Sequence, residues 1–212
     1  MARPTPQLRT TIEQYQAILA PDQFAELISN IESIFSKFKA QLLEFEPGLQ
    51  RGTALHQMMD RELKAASQYP TSCHRGCSGC CHYEVEITQN EAVVLRDAVR
   101  RGIQIDHKRL HLQASRERRS PEWRRFGSPD NRCVFLAADG ACGVYDIRPS
   151  ICRKHMVSTP AANCTTDGAM VAPIQVLLAE ILLSAELSID GNESGSLAKM
   201  LETSLNETPA PH

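Results

Sequence analysis

Cys73-His74-Arg75-Gly76-Cys77-Ser78-Gly79-Cys80-Cys81 places four of the chain's eight cysteines within nine residues. Cysteines serving as small apolar side chains need no such spacing. Thiolates that converge on one ion or cluster do, because their bonds to the metal are only about 2.3 Å long. A C-x2-C step lets two sulfurs reach the same metal, and a C-x3-C step brings two sulfurs to one side of a helical turn. Cys80 and Cys81 are adjacent. Neighbouring side chains seldom both fit one tetrahedral ion, so this pair points to two centres or to a multinuclear cluster. A disulfide between them would be strained.

The other four cysteines are Cys133, Cys142, Cys152 and Cys164. Folding can bring them against the first loop, and shared metal would then tie about 90 residues together and add directly to folding free energy. Cys164, beyond Pro160 in a Thr/Asp/Gly loop, is the least firmly tied to the set. Eight thiolates can furnish two four-ligand sites, or one cluster and some free thiols, and spacing does not pair them. Thiolates suit zinc and iron–sulfur alike. Clustered and adjacent cysteines tilt the reading towards iron–sulfur.

Apolar residues make up 42% of the 212 residues and charged residues 23%, which excludes a wholly disordered chain. A net charge of −2 gives no bulk reason to expect a polyanion partner. No apolar run follows MARPTPQLRT, so no secretory leader is expected. The most apolar stretch, 170–187, is interrupted by Pro173, Gln175, Glu180 and Glu186, so no membrane span is expected. The expected compartment is the reducing cytoplasm, where cysteines are better read as ligands or redox groups than as a disulfide framework. An exported chain would instead call for four disulfides.

The pattern predicts an α+β protein, mostly helical, with a small cysteine-rich metal-binding domain between helical flanks. The expected divisions are a helical region at 1–70, the cysteine domain at 71–167, a helix within 168–189 and a flexible tail at 190–212. Apolar residues from Phe24 to Leu43 recur at steps of three and four, predicting an amphipathic helix over 22–46 between Pro21-Asp22 and Pro47-Gly48. A second helix is expected over 49–68, with Leu55, Met58, Met59, Leu63 and Ala66 inward, and a short one over 10–19. These helices could dock on the cysteine domain or on a second copy. Tyr83-Glu84-Val85-Glu86-Ile87 alternates like a strand. Thr88 with Glu91 forms a capping box opening a helix that ends at Gly102. Residues 106–119 read as a charged helix and 120–132 as loop. Two short apolar runs around Asp139-Gly140 suggest a hairpin, and Arg148-Pro149 a short helix carrying Cys152. A last helix is expected over 174–187.

Cations beside the cysteines could donate charge-assisted hydrogen bonds to sulfur. Arg148 and Arg153, which bracket Cys152, are the first candidates, while Arg75 and Lys154 read as surface cations. His74, His82 and His155 are candidate imidazole ligands, each with a structural reading beside it. Glu84 and Glu86 read as an exposed strand face. Hydrolase and phosphate-loop motifs are absent, and no catalytic residue is assigned.

Cys73-x3-Cys77-x2-Cys80-Cys81, Cys133-Val-Phe-Leu, Asp139-Gly140-Ala-Cys142-Gly-Val-Tyr145 and Arg148-Pro149-x2-Cys152-Arg153, with the Glu-Ile-Thr88-x2-Glu91 segment between, together resemble the zinc- or iron-chelating cysteine-cluster family (CxxCxxCC, YkgJ-type). The resemblance covers roughly 73–165. It implies a metal or iron–sulfur centre on these cysteines and leaves the biological role open. Similar domains occur within flagellin lysine-methylating enzymes. This chain has no glycine-rich nucleotide loop, so methyl transfer is not carried over.

The expectation is a cytosolic metal-binding protein, holding zinc or an iron–sulfur cluster in a structural, redox or metal-carrier role. One alternative is a cluster-dependent enzyme of radical SAM or methyl-transfer type, since Cys73-x3-Cys77-x2-Cys80 has radical SAM spacing. Against it, helices rather than a barrel strand precede the motif, and too few residues follow for a barrel. Another is a nucleic-acid or protein binding module. Residues 96–132 hold eleven Lys/Arg and five Asp/Glu, with Trp123 and Phe126 near Arg124 and Arg125. A solvated, internally paired helix is the plainer account. A protein partner and the oligomeric state stay open.

Overall fold

The computed structural model describes residues 3–65, 68, 70–124 and 128–207. Ala66, Arg125, Phe126 and residues 208–212 of the expected tail lie outside the described residues. The fold is α+β and mostly helical, as expected, with small two-stranded sheets.

Three helices begin the chain: α1 (Pro6–Ile18), α2 (Pro21–Leu43) and α3 (Leu49–Ala65). Thr5 caps α1 by accepting from the Leu8 N–H at 3.1 Å, with Pro6 in the first turn, where its missing N–H costs nothing. Ile31, Phe38 and Leu42 form the buried stripe of α2, while Leu43, at the edge of that face, is 51% exposed. Leu55, Met58 and Met59 are the inward residues of α3, and Leu63 packs beside them. These faces close on α7 (Leu177–Leu187), in which every residue from 179 to 186 is buried. A helix covered on most sides needs no polar stripe, which is why α7 reads as a continuous apolar run. Each large apolar side chain removed from water here contributes about 1.5–3 kcal/mol.

The second core forms around α4 (Gln89–Arg100), α5 (His107–Ala114) and α8 (Leu197–Asn206), with the 133–144 loops beneath. Strand β1 (Glu86–Thr88) feeds α4 through the Thr88–Glu91 capping box, and both reciprocal bonds of that box are present. Strand β4 (Ser194–Ser196) feeds α8 through the Ser196 cap. The two strands pair antiparallel, Glu86 with Ser196 and Thr88 with Ser194, giving two strand–cap–helix units side by side. Residues 194–206 are therefore not a loose tail. Leu197, Ala198 and Leu201 are buried in the second core, and that burial orders a segment whose composition is mainly polar.

Between the cores lie α6 (Ser150–Lys154) and a second small sheet, β2 (Met156–Val157) paired with β3 (Pro173–Ile174). The expected hairpin at Asp139-Gly140 is a single antiparallel bridge between Leu136 and Cys142, closed by Ala137 N–H to Ala141 O at 2.9 Å. The N-terminal helices dock on this chain's own cysteine region through α3. At the crossing of α3 and α4 a Cβ on Gly52 would stand 2.6 Å from the Asn90 carbonyl oxygen, so only glycine permits that approach. Among the described residues no helix is long and apolar enough to cross a membrane.

Candidate metal centre

All eight cysteines are free thiols; Cys164 is buried and the other seven are partly buried. The first loop folds back through successive tight turns. Cys77 N–H donates to His74 O, Cys81 N–H to Ser78 O and Tyr83 N–H to Cys80 O, at 3.0–3.2 Å. The turn at Gly79–His82 is 3₁₀. Cys133 N–H donates to Cys81 O at 2.7 Å and so fastens the second cysteine stretch to the first across some fifty residues of sequence.

The thiols fall into two neighbourhoods. In one, Cys80 acts on the ionisation of Cys133, Cys142 and Cys152, and Cys133 and Cys142 act on Cys152. Burial first, then the charges of Cys133, Cys80 and Cys142, hold the Cys152 thiol well above its ordinary value. Burial pushes Cys133 up to about 11, against an opposing hydrogen bond from the Phe135 N–H. Cys142 is likewise raised by burial and partly offset by the Val144 N–H and by Arg148. Cys80 is raised first by a hydrogen bond shared with Cys81, then by burial. Cys133 and Cys142 thus each meet a backbone N–H two residues further on. Such donors favour a thiolate over a thiol.

In the other neighbourhood burial, then the charges of Cys77, Cys73 and Cys80, raise Cys164. Cys164 lies against the first loop: a Cβ on Gly79 would come within 2.7 Å of its Cβ. Tyr83 Oη donates to its carbonyl at 3.2 Å. The cysteine least firmly tied to the set in sequence is thus packed directly on it. Cys73 Sγ faces the His155 carbonyl at 3.9 Å. Among the described residues no three His, Cys, Asp or Glu side chains already close on one point as a cage.

Two of the candidate histidines hold a backbone carbonyl through one ring nitrogen. His74 Nδ1 contacts Arg75 O, and His82 Nδ1 contacts Ser78 O. Burial, then Lys154, holds His155 below its ordinary value.

Helix α6, which carries Cys152, is held from three sides. Glu91 Oε1 accepts from the Ser150 N–H at 2.6 Å and also faces His56 Nε2 at 3.3 Å, while Oε2 accepts from Thr88 N–H. Burial alone would raise the Glu91 carboxyl, but His56 and these N–H donors overrule it and keep the acid below its ordinary range. Arg153 reaches α3 with two bonds of 2.6 and 2.7 Å to the Asp60 carboxylate, and spends its other donors on Arg148 O and Asp146 O. It is a structural tie and not the sulfur donor that its place beside Cys152 suggested. Lys154 pairs with Glu180 of α7 at 2.6 Å, both side chains under a tenth exposed, so it is no surface cation either. Sequence reasoning registered Glu91 only as a helix start. Its second role, at α6, comes from a partner 59 residues away that no local pattern announces.

The other candidates read in the sequence resolve simply. Glu86 pairs with Arg118, and Glu84 accepts from the Arg119 N–H, so these carboxylates anchor the 118–119 loop. Arg96, Arg101 and Arg109 are paired with Glu207, Asp97 and Asp106.

Residues 72–170 match the CxxCxxCC family model, described as "Putative zinc- or iron-chelating domain". The resemblance carried by the cysteine spacing is borne out over that segment, slightly less than half of the chain. No curated protein and no solved structure matches the chain.

Proposed function

We propose that the 72–170 domain holds its metal through the eight cysteines in two groups, Cys80, Cys133, Cys142 and Cys152 around a buried centre and Cys73, Cys77 and Cys164 beside it, with Cys81, hydrogen-bonded to Cys80, at their junction. The single observation that carries this reading is the packing of the two cysteine stretches on each other, through Cys133 N–H to Cys81 O and through Cys164 against Gly79. The backbone donors at Cys133 and Cys142 support it, because soft anionic sulfurs already backed by N–H groups fit zinc or an iron–sulfur centre. When bound, the centre would supply either a structural cross-link or a one-electron site.

The chain's own part is to gather, orient and shield sulfur. Raised thiol values mean that loading must displace protons, which leave to solvent, and side-chain rotation must bring the sulfurs to one point. Adjacent Cys80 and Cys81 support iron–sulfur over a single zinc ion. Free thiols of this density suit a reducing cytoplasm.

The test is purification without oxygen, followed by measurement of metal, acid-labile sulfide and the visible spectrum. Colour with sulfide is the expected result; a colourless protein with stoichiometric zinc selects the zinc form. No bound metal after either iron–sulfide or zinc reconstitution overturns the reading. Cys80→Ser, Cys133→Ser and Cys152→Ser should each lose the buried centre.

The alternatives have less support. Radical SAM chemistry wants three sulfurs of one loop around an open iron, whereas here the first loop is tied by Cys133 N–H to Cys81 O and by the packing of Cys164 on Gly79 to further cysteines that could fill the open position. Nucleic-acid binding through 96–132 would need free cations, and Arg96, Arg101, Arg109 and Arg118 have acidic partners within the chain.

A further inference from the structure

Among the described residues Arg148 has no acidic side chain paired with it. Its guanidinium carbon lies 4.2 Å from the centre of the Tyr145 ring, and that of Arg75 lies 4.3 Å from the same ring. Stacking on an aromatic face fixes the plane of a guanidinium at small entropic cost. The neighbouring acids are already engaged, Asp146 with Arg75 at 2.6 Å and Asp60 with Arg153. Arg148 Nε is buried and meets no hydrogen-bond acceptor among the described residues. An unmet buried donor costs about 1–3 kcal/mol, more when charged, so such a group ordinarily has an acceptor in the working state of a protein.

The backbone around it is fixed. Arg148 O accepts from Arg153 Nε at 2.7 Å, and Tyr145 N–H donates to Cys142 O at 3.3 Å. That second bond places the ring one turn from a thiol of the buried group. Of the two arginines that bracket Cys152, Arg153 donates its Nε to the Arg148 carbonyl, whereas the buried Nε of Arg148 meets no acceptor among the described residues.

We propose that Arg148, held flat by Tyr145, is a positioning residue for the metal centre, its buried Nε–H donating to a metal-bound thiolate of the buried group and its charge offsetting that of the sulfurs. The inference rests on the metal-centre reading above. It adds a residue that touches sulfur and not metal, and it separates Arg148 from Arg153 by role.

The experiment titrates the purified full chain with Co²⁺ under anaerobic conditions, then competes it with Zn²⁺, for the wild type, Arg148→Gln and Arg148→Lys. Losing an outer hydrogen bond and a charge typically weakens metal binding by about ten- to a hundredfold, so Arg148→Gln should lose roughly tenfold. Its sulfur-to-cobalt charge-transfer band should move to lower energy, since a sulfur relieved of its hydrogen bond gives up electron density more easily. Arg148→Lys keeps the charge and should recover most of the affinity, while its band stays displaced. A merely structural role would leave the band in place.

Wild-type affinity and band position in Arg148→Gln, with wild-type protein that binds Co²⁺, overturn this inference alone. Should Arg148→Gln fail to fold by circular dichroism, an Arg148→Lys band at the wild-type position overturns it. Wild-type protein that takes up neither Co²⁺ nor Zn²⁺ removes both this inference and the reading it rests on.

Discussion

Around α7, Leu55, Met59, Ile181 and Leu182 are almost wholly withdrawn from water, and the helices bearing them are held by apolar contact. In 72–85 and 128–170, on either side of α4 and α5, the backbone runs largely as turns, fastened at points such as Cys133 N–H to Cys81 O, Ser150 N–H to Glu91 and Arg153 to Asp60. The difference is one of kind. Apolar burial is non-directional and tolerates small displacements. Point fastenings are directional, and losing one leaves a buried group unmet. The helical layer is therefore a platform, and the cysteine region a set of loops whose order depends on that platform and, on the reading above, on metal.

Metal removal should separate the two regions most sharply. Structural zinc can carry some 10–16 kcal/mol of apparent binding energy in small fingers. Stripping the loaded protein with a strong chelator should abolish hydrogen-exchange protection around 73–82 and 133–154 while α2 and α7 keep theirs. Equal loss in both would break the comparison.

Next in size, Leu182→Ala should destabilise the protein by about 2–5 kcal/mol, the usual cost of a cavity in a packed core. Thermal melting should show this in metal-free and loaded protein alike, and a penalty present only in one form would mean that α7 is not an independent platform.

Glu91→Ala should cost about 2–3 kcal/mol, because it strands the Ser150 and Thr88 N–H groups and His56 together. It should also weaken Co²⁺ binding, since α6 and Cys152 lose an anchor. Unchanged metal affinity would show that α6 is positioned by Asp60 and Glu180 alone.

The smallest effect concerns Glu186, buried where α7 meets α4. Burial, and secondarily the Glu91 charge, raise its carboxyl from the ordinary 4.5 to about 7, against opposing bonds from Asn90 and Asn192. The folded state then keeps a proton that the unfolded chain has released. Stability should fall as pH rises from about 4.5 to about 7 and level off above that. Glu186→Gln should flatten that slope and, at pH 8, stabilise the protein by on the order of 1–2 kcal/mol. Urea unfolding across pH 4.5–8 measures it; an unchanged slope would place the charge elsewhere.

Local pattern carried much of this architecture. The three-and-four spacing of α2, the Thr88–Glu91 box and the Asp139-Gly140 turn are each complete within a few residues, so a reader of the sequence finds them. The eight cysteines were equally visible. What stayed hidden has distant partners. Glu180 and Glu186 look like solvent-facing interruptions until Lys154 and Asn90 arrive from 26 and 96 residues away. Arg153 beside Cys152 looks like a sulfur donor until Asp60 claims it. The 194–206 segment looks idle because only Leu197, Ala198 and Leu201 mark its buried face, and its strand forms only against Glu86–Thr88.

The pairing of β1 with β4 also imposes an order in time. A ribosome releases all eight thiols before it makes the α8 helix that roofs the second core. At roughly 5–20 residues per second, the gap between Cys164 and the end of α8 at Asn206 lasts a few seconds. During that interval the nascent sulfurs have no finished shelter, so oxidants and stray soft metals can reach them before the fold closes.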